Sequence, residues 1–317
     1  MSKPVCLLWL DDAQSYEEAL SRAGLTDRLE VHAVKRDDKP PAALIPRVEV
    51  LAGWKHGGYL GQMPKLRWIQ AMTAGVEAWL GAPGLRDDVP LCCARGSHRY
   101  SMAENILGAL FHLTKPYMAV ALDQKKSHWA RRQSRLLAGQ TLGILGLGAI
   151  GQELARKADA LEMRVIGTRR TPEPVPHVAQ VYSGEQTDEV LRQSDFVVLL
   201  MPATDETDNF INSKRLKAMR PAAWLLNFAR GSLIVDEDLI AAVNSKTIAG
   251  AVLDVFREEP LPTTHAFWTT ENILVLPHIG GGHSGRGAAV ADIFAENARR
   301  YLAGEPFATA VDRARGY

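Results

Sequence analysis

Three side chains of complementary chemistry follow strand-length apolar runs in the second half of the chain. They are Arg230 in Asn227-Phe228-Ala229-Arg230-Gly231, Glu259 in the stretch from Leu253 to Leu261, and His278 in Leu276-Pro277-His278-Ile279-Gly280-Gly281. A guanidinium anchors a carboxylate. A histidine gives and takes a proton near neutral pH, and a carboxylate beside it holds it protonated and oriented. Together they suit the reduction of a keto acid, which needs an anchor, a proton donor for the developing alkoxide and a dry track for hydride. Singly, each has a plainer reading, as a surface cation, a solvated loop charge or a turn histidine. Their joint occurrence at successive strand ends argues against that reading. His283 lacks the proline and strand context of His278 and is read as a loop residue.

A hydride carrier is implied further upstream. Leu142 to Leu145 reads as a buried strand, and Gly146-Leu147-Gly148-Ala149-Ile150-Gly151 follows it directly, opening a helical pattern through about Leu161. In that context the first glycine permits a tight turn and the second lets the backbone approach a pyrophosphate. The third allows close helix-to-strand packing, while the helix N-terminus at Ala149 and Ile150 stabilises negative charge. The next strand, Arg164 to Gly167, ends in Thr168-Arg169-Arg170-Thr171. NAD-binding versions place an acid about 20 residues beyond the glycine turn to accept hydrogen bonds from the ribose. Arg169 and Arg170 cannot accept them, but a guanidinium pairs a 2'-phosphate through its charge and planar donor fork. The expected cofactor is therefore NADP, with NADPH preferred over NADH.

These residues require a scaffold that brings strand ends together. Apolar runs alternate with helical patterns from the start, at Val5 to Leu10, Ser15 to Ala23, Leu29 to Val34, Val48 to Ala52 and Leu66 to Ala71. This is the rhythm of βαβ units. A helical segment of about Ser101 to Leu122 is expected to bridge two domains. Beyond the basic stretch Lys125 to Arg135, runs from Thr141 to Leu276 predict five or six parallel strands. The last helical pattern, Ala288 to Leu302, is expected to return to the first domain. A chain of 317 residues exceeds one ordinary core, and a cleft between two domains is the default place for a site.

Composition narrows the remaining classes. Lys plus Arg (37) balances Asp plus Glu (36), so no global field would draw the protein to nucleic acid or anionic lipid. No window is apolar enough for a membrane span. The run from Met1 to Leu10 is too short and wrongly flanked for a signal peptide. Three cysteines without metal or disulfide spacing read as reduced thiols of a cytoplasmic protein.

The strand-end segments closely resemble the D-2-hydroxyacid dehydrogenase family, and within it the glyoxylate and hydroxypyruvate reductases. The resemblance implies an α/β fold of two doubly wound parallel-sheet domains, with a Rossmann NADP-binding domain (102–282) inserted in a flavodoxin-like substrate domain (1–101 and 283–317). It implies that Arg230 binds and polarises the substrate, that Glu259 supports His278, and that His278 is the general acid and base. Asp254 would support the electrostatics near the nicotinamide. The backbone at Ala74, Gly75 and Val76, within Leu66 to Glu77, would hold the substrate carboxylate. Pro202 and Thr207, in Leu200 to Thr207, match the loop that flanks the adenosine, and Met102 opens the interdomain helix. Thr168, Phe228, Ala229 and Gly280 complete the cofactor site.

The resemblance further implies a homodimer built through the nucleotide-binding domain, with Trp129 in the segment Lys125 to Leu137 as an interface anchor. It also places the loop Ala52 to Gly57 facing the nicotinamide, so that Trp54 caps a small pocket and Lys55 favours a hydroxyl or second acidic group. Small 2-keto acids, glyoxylate or hydroxypyruvate, are then the expected substrates and D-2-hydroxy acids the products. The glycine-rich run from Gly280 to Gly285 departs from the family's habit. Read as a flexible loop, it leaves any role of Arg286 open and keeps phenylpyruvate-sized substrates as the alternative. The C-terminal-binding-protein corepressors resemble the same family, which keeps a cofactor-sensing binding protein as a reading from another class. Formate or phosphite dehydrogenases are a third possibility, disfavoured by Arg169 and Arg170.

Overall fold

The computed structural model describes residues 3–316. Met1, Ser2 and Tyr317, on which part of the terminal reading falls, lie outside the described residues. The chain divides into two compact units, Met1–Ser97 with His283–Tyr317, and His98–Gly282. The first division therefore falls between Ser97 and His98, slightly ahead of the expected 101/102. His98 is the residue that caps the following helix, so the boundary sits at that helix's start.

The strands are β1 (Val5–Trp9), β2 (Glu30–Val34), β3 (Val50–Gly53), β4 (Trp68–Ala71) and β5 (Leu91–Cys92) in the first unit. The second holds β6 (Thr141–Leu145), β7 (Arg164–Thr168), β8 (Gln180–Tyr182), β9 (Phe196–Leu199), β10 (Trp224–Asn227), β11 (Gly250–Leu253) and β12 (Ile273–Val275). Helices α1 (Ala13–Arg22) and α2 (Glu77–Leu80) belong to the first unit. The second contains α3 (Arg99–Thr114), α4 (Tyr117–Gln124), α5 (Ala149–Asp159), α6 (Thr187–Gln193), α7 (Ser213–Ala218) and α8 (Asp236–Asn244). The chain then returns to the first unit with α9 (Arg286–Ala303).

In the first unit five parallel strands run in the order β2-β1-β3-β4-β5. Every residue of β1 is buried, as a strand covered on both faces demands. The returning α9 is part of this core: Phe294 stacks on Trp68 with ring centres 5.5 Å apart. Buried Asn297 donates to Gln70 Oε1 and Thr309 Oγ1, each at 2.8 Å, and accepts from the Ala308 N–H. The second unit is a seven-stranded parallel sheet in the order β12-β11-β10-β9-β6-β7-β8, the doubly wound arrangement.

Two expectations need correction, and one strand had gone unforeseen. The second sheet has seven strands, not five or six, because β8 is only three residues long and carries no legible periodicity. The two-residue β5 likewise has no sequence signature. The helix expected from Ser101 to Leu122 is two helices. Pro116 forces Lys115 into an extended conformation, with φ −113° and ψ 139°, and α3 stops there.

Register decides what these sheets can present. Thr168, Leu145, Leu199, Asn227, Leu253 and Val275 pair successively across the second sheet, so six strands end level with one another. In the first sheet Val34, Trp9, Gly53 and Ala71 do the same. The segments that carry Trp54, Ala74, Gly146, Thr168, Pro202, Arg230, Asp254 and His278 leave one of these two edges.

Candidate active site

The glycine turn leaves β6 for α5. Gly146 has φ +112°, and a Cβ there would meet the Leu200 backbone at 2.7 Å. A Cβ on Gly151 would come within 2.4 Å of the Gly146 carbonyl, so the helix can approach its strand only with glycine present. Around Gly148 the space is open. Gly148 caps α5 without a side chain, so the first N–H groups, at Ala149, Ile150 and Gly151, point outward as donors with no intrahelical partner. This cradle fits a dinucleotide pyrophosphate.

Two neighbouring strand ends flank the cradle. Thr168 is buried at the end of β7, and the Arg169 N–H donates to the Tyr182 carbonyl at 3.0 Å, fixing where its side chain departs. The Arg169 guanidinium lies 3.9 Å from Glu173, an acid four residues further along the chain, and Arg170 is exposed. After β9, Thr207 Oγ1 donates to the Pro202 carbonyl and accepts from the Thr204 N–H, both at 2.8 Å, which folds that loop on itself.

The chemical groups sit at the ends of β10, β11 and β12. Asn227 is fully buried; its amide donates to the Arg230 carbonyl at 2.8 Å and accepts from Ala229 N–H at 3.1 Å, shaping the turn that carries Arg230. Gly231 lies so close to the Phe256–Arg257 backbone that a Cβ would overlap it. Glu259 accepts from the Phe256 N–H at 2.9 Å through Oε1, and its Oε2 lies 2.7 Å from His278 Nδ1. His278 itself adopts φ +51°, an uncommon conformation for a residue with a Cβ. Asp254, with no exposed surface, holds that turn by accepting from Ile279 N–H at 2.8 Å and Gly280 N–H at 2.9 Å. A Cβ on Gly280 would strike Asp254, Met102 and buried Phe228 together, which brings four candidate residues into one spot.

The run beyond His278 is not slack at its start. The Gly280 carbonyl accepts from Asn105 Nδ2 at 3.0 Å, the Gly282 carbonyl from Ser101 Oγ at 3.0 Å, and His98 Nδ1 donates to Gly281 at 3.0 Å. The expectation of a freely flexible loop is therefore corrected for Gly280 to Gly282, whose carbonyls α3 and its cap hold.

In the first unit, the loop after β4 carries Ala74, Gly75 and buried Val76, bent by Thr73 Oγ1 donating to the Gly75 carbonyl at 2.5 Å. Among the described residues no backbone carbonyl receives the N–H groups of these three. Trp54 follows β3, half-buried. Lys55 lies on the surface with Nζ 3.5 Å from Asp37. Arg286, whose role the sequence left open, places its guanidinium carbon 4.6 Å from the centre of the Trp54 ring and donates to the Met72 carbonyl at 2.9 Å.

A family model for the D-isomer specific 2-hydroxyacid dehydrogenase, NAD binding domain, matches residues 107–280. The chain belongs to that family. Among its relatives is a glyoxylate reductase of Thermococcus onnurineus, 41% identical over 175 residues, which are 55% of this chain and 52% of that protein. The chain thus matches about half the length of that curated reductase. A crystal structure of a D-isomer specific 2-hydroxyacid dehydrogenase from Xanthobacter autotrophicus, in complex with NADPH and MES, is 30% identical with a TM-score of 0.86, covering 100% of both chains. An NADPH-dependent glyoxylate/hydroxypyruvate reductase from Sinorhizobium meliloti, in complex with NADP and sulfate, is 28% identical with a TM-score of 0.83, again over 100% of both. The protein is accordingly an oxidoreductase with an NAD(P)-binding Rossmann unit.

In this dehydrogenase, burial raises the Asp254 carboxyl above its ordinary value. The Gly280 and Ile279 N–H groups and His278 lower it, and Glu259 adds to the rise. A carboxyl raised in the folded state adds stability that is complete below about pH 3.9, its unfolded value, and is lost as pH climbs through the folded value. Asp254→Asn cannot ionise, so wild type is expected to lose ground to the variant as pH rises from about 4 through the weakly acidic range. Urea midpoints of both proteins across that range check this; a difference independent of pH would contradict it.

Proposed function

We propose that this dehydrogenase reduces small 2-keto acids, glyoxylate and hydroxypyruvate, to D-2-hydroxy acids, with NADPH preferred over NADH. The observation that carries the reading is the 2.7 Å His278–Glu259 contact on the same sheet edge as the glycine turn. NADPH supplies the hydride when bound. Gly146, Gly148 and the first turn of α5 hold its pyrophosphate, and Arg169 with Arg170 receives the 2'-phosphate. Arg230 anchors the substrate carboxylate and polarises its carbonyl, and the N–H groups at Ala74, Gly75 and Val76 add donors to the carboxylate. His278 delivers the proton to the developing alkoxide. Glu259, pinned by the Phe256 N–H, keeps the imidazole oriented through its contact with Nδ1. Trp54 limits the size of the substrate side chain. The solved relatives described with NADPH or NADP support the cofactor reading. Three buried free cysteines fit a reducing compartment, and we place the enzyme in the cytoplasm; among the described residues no helix is long and apolar enough to cross a membrane.

The reading includes a homodimer formed through the second unit. α4 buries none of its residues. Tyr117 is 74% exposed and Trp129 89%, with Met118, Leu122 and Leu136 exposed nearby in sequence. Large apolar groups gathered in one segment mark an association surface more often than a solvated one.

Three outcomes follow from these assignments. In a kcat/KM screen of glyoxylate, hydroxypyruvate, pyruvate, 2-ketobutyrate and phenylpyruvate, run with NADPH and then NADH, the small substrates lead and NADPH wins. Arg169→Asp erases or reverses the cofactor preference, a change of about ten- to hundredfold; equal efficiency with both cofactors in wild type sinks the assignment. His278→Gln lowers the rate of reduction by about two to four orders of magnitude with NADPH affinity nearly unchanged. Glu259→Gln loses the carboxylate that orients the imidazole through Nδ1 and lowers kcat with NADPH affinity nearly unchanged; unimpaired turnover in His278→Gln would place the proton donor elsewhere. The mass in solution at micromolar concentration is that of a dimer, and Trp129→Asp shifts it toward the monomer; a monomeric wild type refutes the interface.

A further inference from the structure

A recess of about 190 Å³ opens within the first unit, lined by Asp11, Asp12, Tyr16, Arg36, Trp54 and Arg286 among others. Its walls come from the residues that follow β1, β2, β3 and β4 and from the start of α9. From β1 the chain first steps outward to β2, then crosses to β3 and β4 on the other side, so the recess lies where the strand order reverses. Open parallel sheets take ligands outside the carboxyl ends of their strands at such a point.

Two cations rest on the aromatic wall of the recess, Arg36 exposed and Arg286 half-buried. The Arg36 and Arg286 guanidinium carbons lie 5.1 and 4.6 Å from the centre of the Trp54 ring. Among the described residues neither forms an ion pair, although Asp11 and Asp12 line the same space. Those two carboxylates are engaged locally: Asp11 accepts from the Arg36 N–H at 3.2 Å, and Asp12 accepts from Ser15 N–H and Oγ at 3.3 and 2.6 Å. The Tyr16 hydroxyl donates to Met72 Sδ at 2.7 Å. Among the described residues Arg286 gives one hydrogen bond, to the Met72 carbonyl, and the rest of its donor fork meets no acceptor there. Burial lowers its pKa from the ordinary arginine value, partly offset by the neighbouring Tyr16. An indole face compensates such a cation only in part.

We infer that this recess is an anion subsite that receives a second carboxylate of the substrate, with Arg286 as its principal donor and Arg36 as its secondary one. The inference rests on the 2-keto acid reading above and narrows it to substrates bearing a distal acidic group. A planar carboxylate matches the guanidinium fork in two parallel hydrogen bonds. A doubly charged phosphate is a poorer match, because Asp11 and Asp12 stand in the same small space. Arg286 is thereby a specificity-determining residue, in the place the sequence reading gave to Lys55.

The test uses the full chain and two arms. In the first, calorimetry compares succinate with butyrate, which share a four-carbon skeleton and differ by one carboxylate. Succinate is expected to bind wild type more tightly. Arg286→Gln should weaken succinate about tenfold or more, with butyrate within about twofold, and Arg286→Lys should recover part of the loss. Arg36→Gln, at an exposed position where folding is not at stake, should weaken succinate by a smaller factor. In the second arm, kcat/KM with NADPH is compared for 2-ketosuccinate and 2-ketobutyrate, and Arg286→Gln should remove the advantage of the diacid. Succinate binding no tighter than butyrate, or unchanged in both the Arg286→Gln and Arg36→Gln proteins, overturns the subsite. Reduction of both keto acids with a ratio that Arg286→Gln leaves unchanged overturns its role in selecting substrate. If the calorimetric arm gives the expected pattern and neither keto acid is reduced, the subsite stands and the 2-keto acid reading falls.

Discussion

The candidate chemistry in the second unit depends on one buried carboxylate. Asp254 closes β11 with no solvent to stabilise its charge, and its two oxygens take the N–H groups of Ile279 and Gly280 from the end of β12. Without those donors a buried acid would be costly. With them, the backbone just beyond His278 is held while His278 keeps a positive φ that a free loop would relax. Glu259 repeats the device one turn away, spending one oxygen on the Phe256 N–H and leaving the other for the imidazole. The separation of His278 from Glu259 is therefore set by carboxylate-to-backbone contacts on both partners, not by side-chain attraction across an exposed gap. Gly231 extends the arrangement to β10, since its lack of a Cβ lets the Arg230 turn pack directly on the Phe256–Arg257 backbone.

The placement of charge says more than its sum. Arginines with structural duties are matched: Arg299 and Arg300 share Glu296, whose carboxyl they hold down to about 2, and Arg220 pairs with Asp195 at 2.8 Å. Three arginines placed near the proposed ligands are held more loosely. Arg169 has only a loose contact with Glu173 at 3.9 Å, while Arg36 and Arg286 rest on an aromatic ring. A matched surface pair contributes little to stability and nothing to recognition. A loosely held guanidinium with part of its surface out of water is stabilised when an anionic ligand arrives, which is why Arg36 and Arg286 carry the proposal of a distal carboxylate and Arg169 takes part in that of a 2'-phosphate.

Much of this was legible in the sequence, and the reasons differ between elements. The long strand runs and the glycine turn announced themselves because burial on both faces demands continuous apolar residues and a close helix demands glycine. Arg230, Asp254, Glu259 and His278 could be singled out because each follows such a run, and level strand ends then bring them to one edge. The hidden parts were short or distant. β5 and β8 are too brief for any period, and the helix break at Pro116 lay inside an otherwise helical apolar pattern. Arg36 and Trp54 follow β2 and β3 and Arg286 opens α9, and only the pairing of β2 and β3 on either side of β1 and the return of α9 bring them together. Lys55 drew notice as a cation next to Trp54 in sequence, but neighbouring residues of a loop need not share a direction, and its ammonium meets Asp37 instead.

The glycine run after His278 shows why composition alone misleads about mobility. Glycine-rich segments are read as flexible because glycine has the widest backbone freedom, yet none of Gly280, Gly281, Gly282 or Gly285 uses a positive φ. Gly280 is required for a different reason. A Cβ there would lie 2.7 Å from the Asp254 carboxylate and 2.8 Å from both Met102 Sδ and Phe228, so any side chain would displace the acceptor that fixes the turn. Gly281 is less confined, with His98 Nδ1 3.1 Å from the corresponding point, and Gly282 and Gly285 have ordinary room. The constraint decays along the run, from a packing demand at the buried carboxylate to positions where nothing in the structure calls for glycine. Order at the start of the loop is thus imposed from outside it, by Asp254 on the N–H side and by Ser101, Asn105 and His98 on the carbonyl side. Freedom intrinsic to the residues is curtailed where the carbonyls of three successive glycines and two of their N–H groups already have partners.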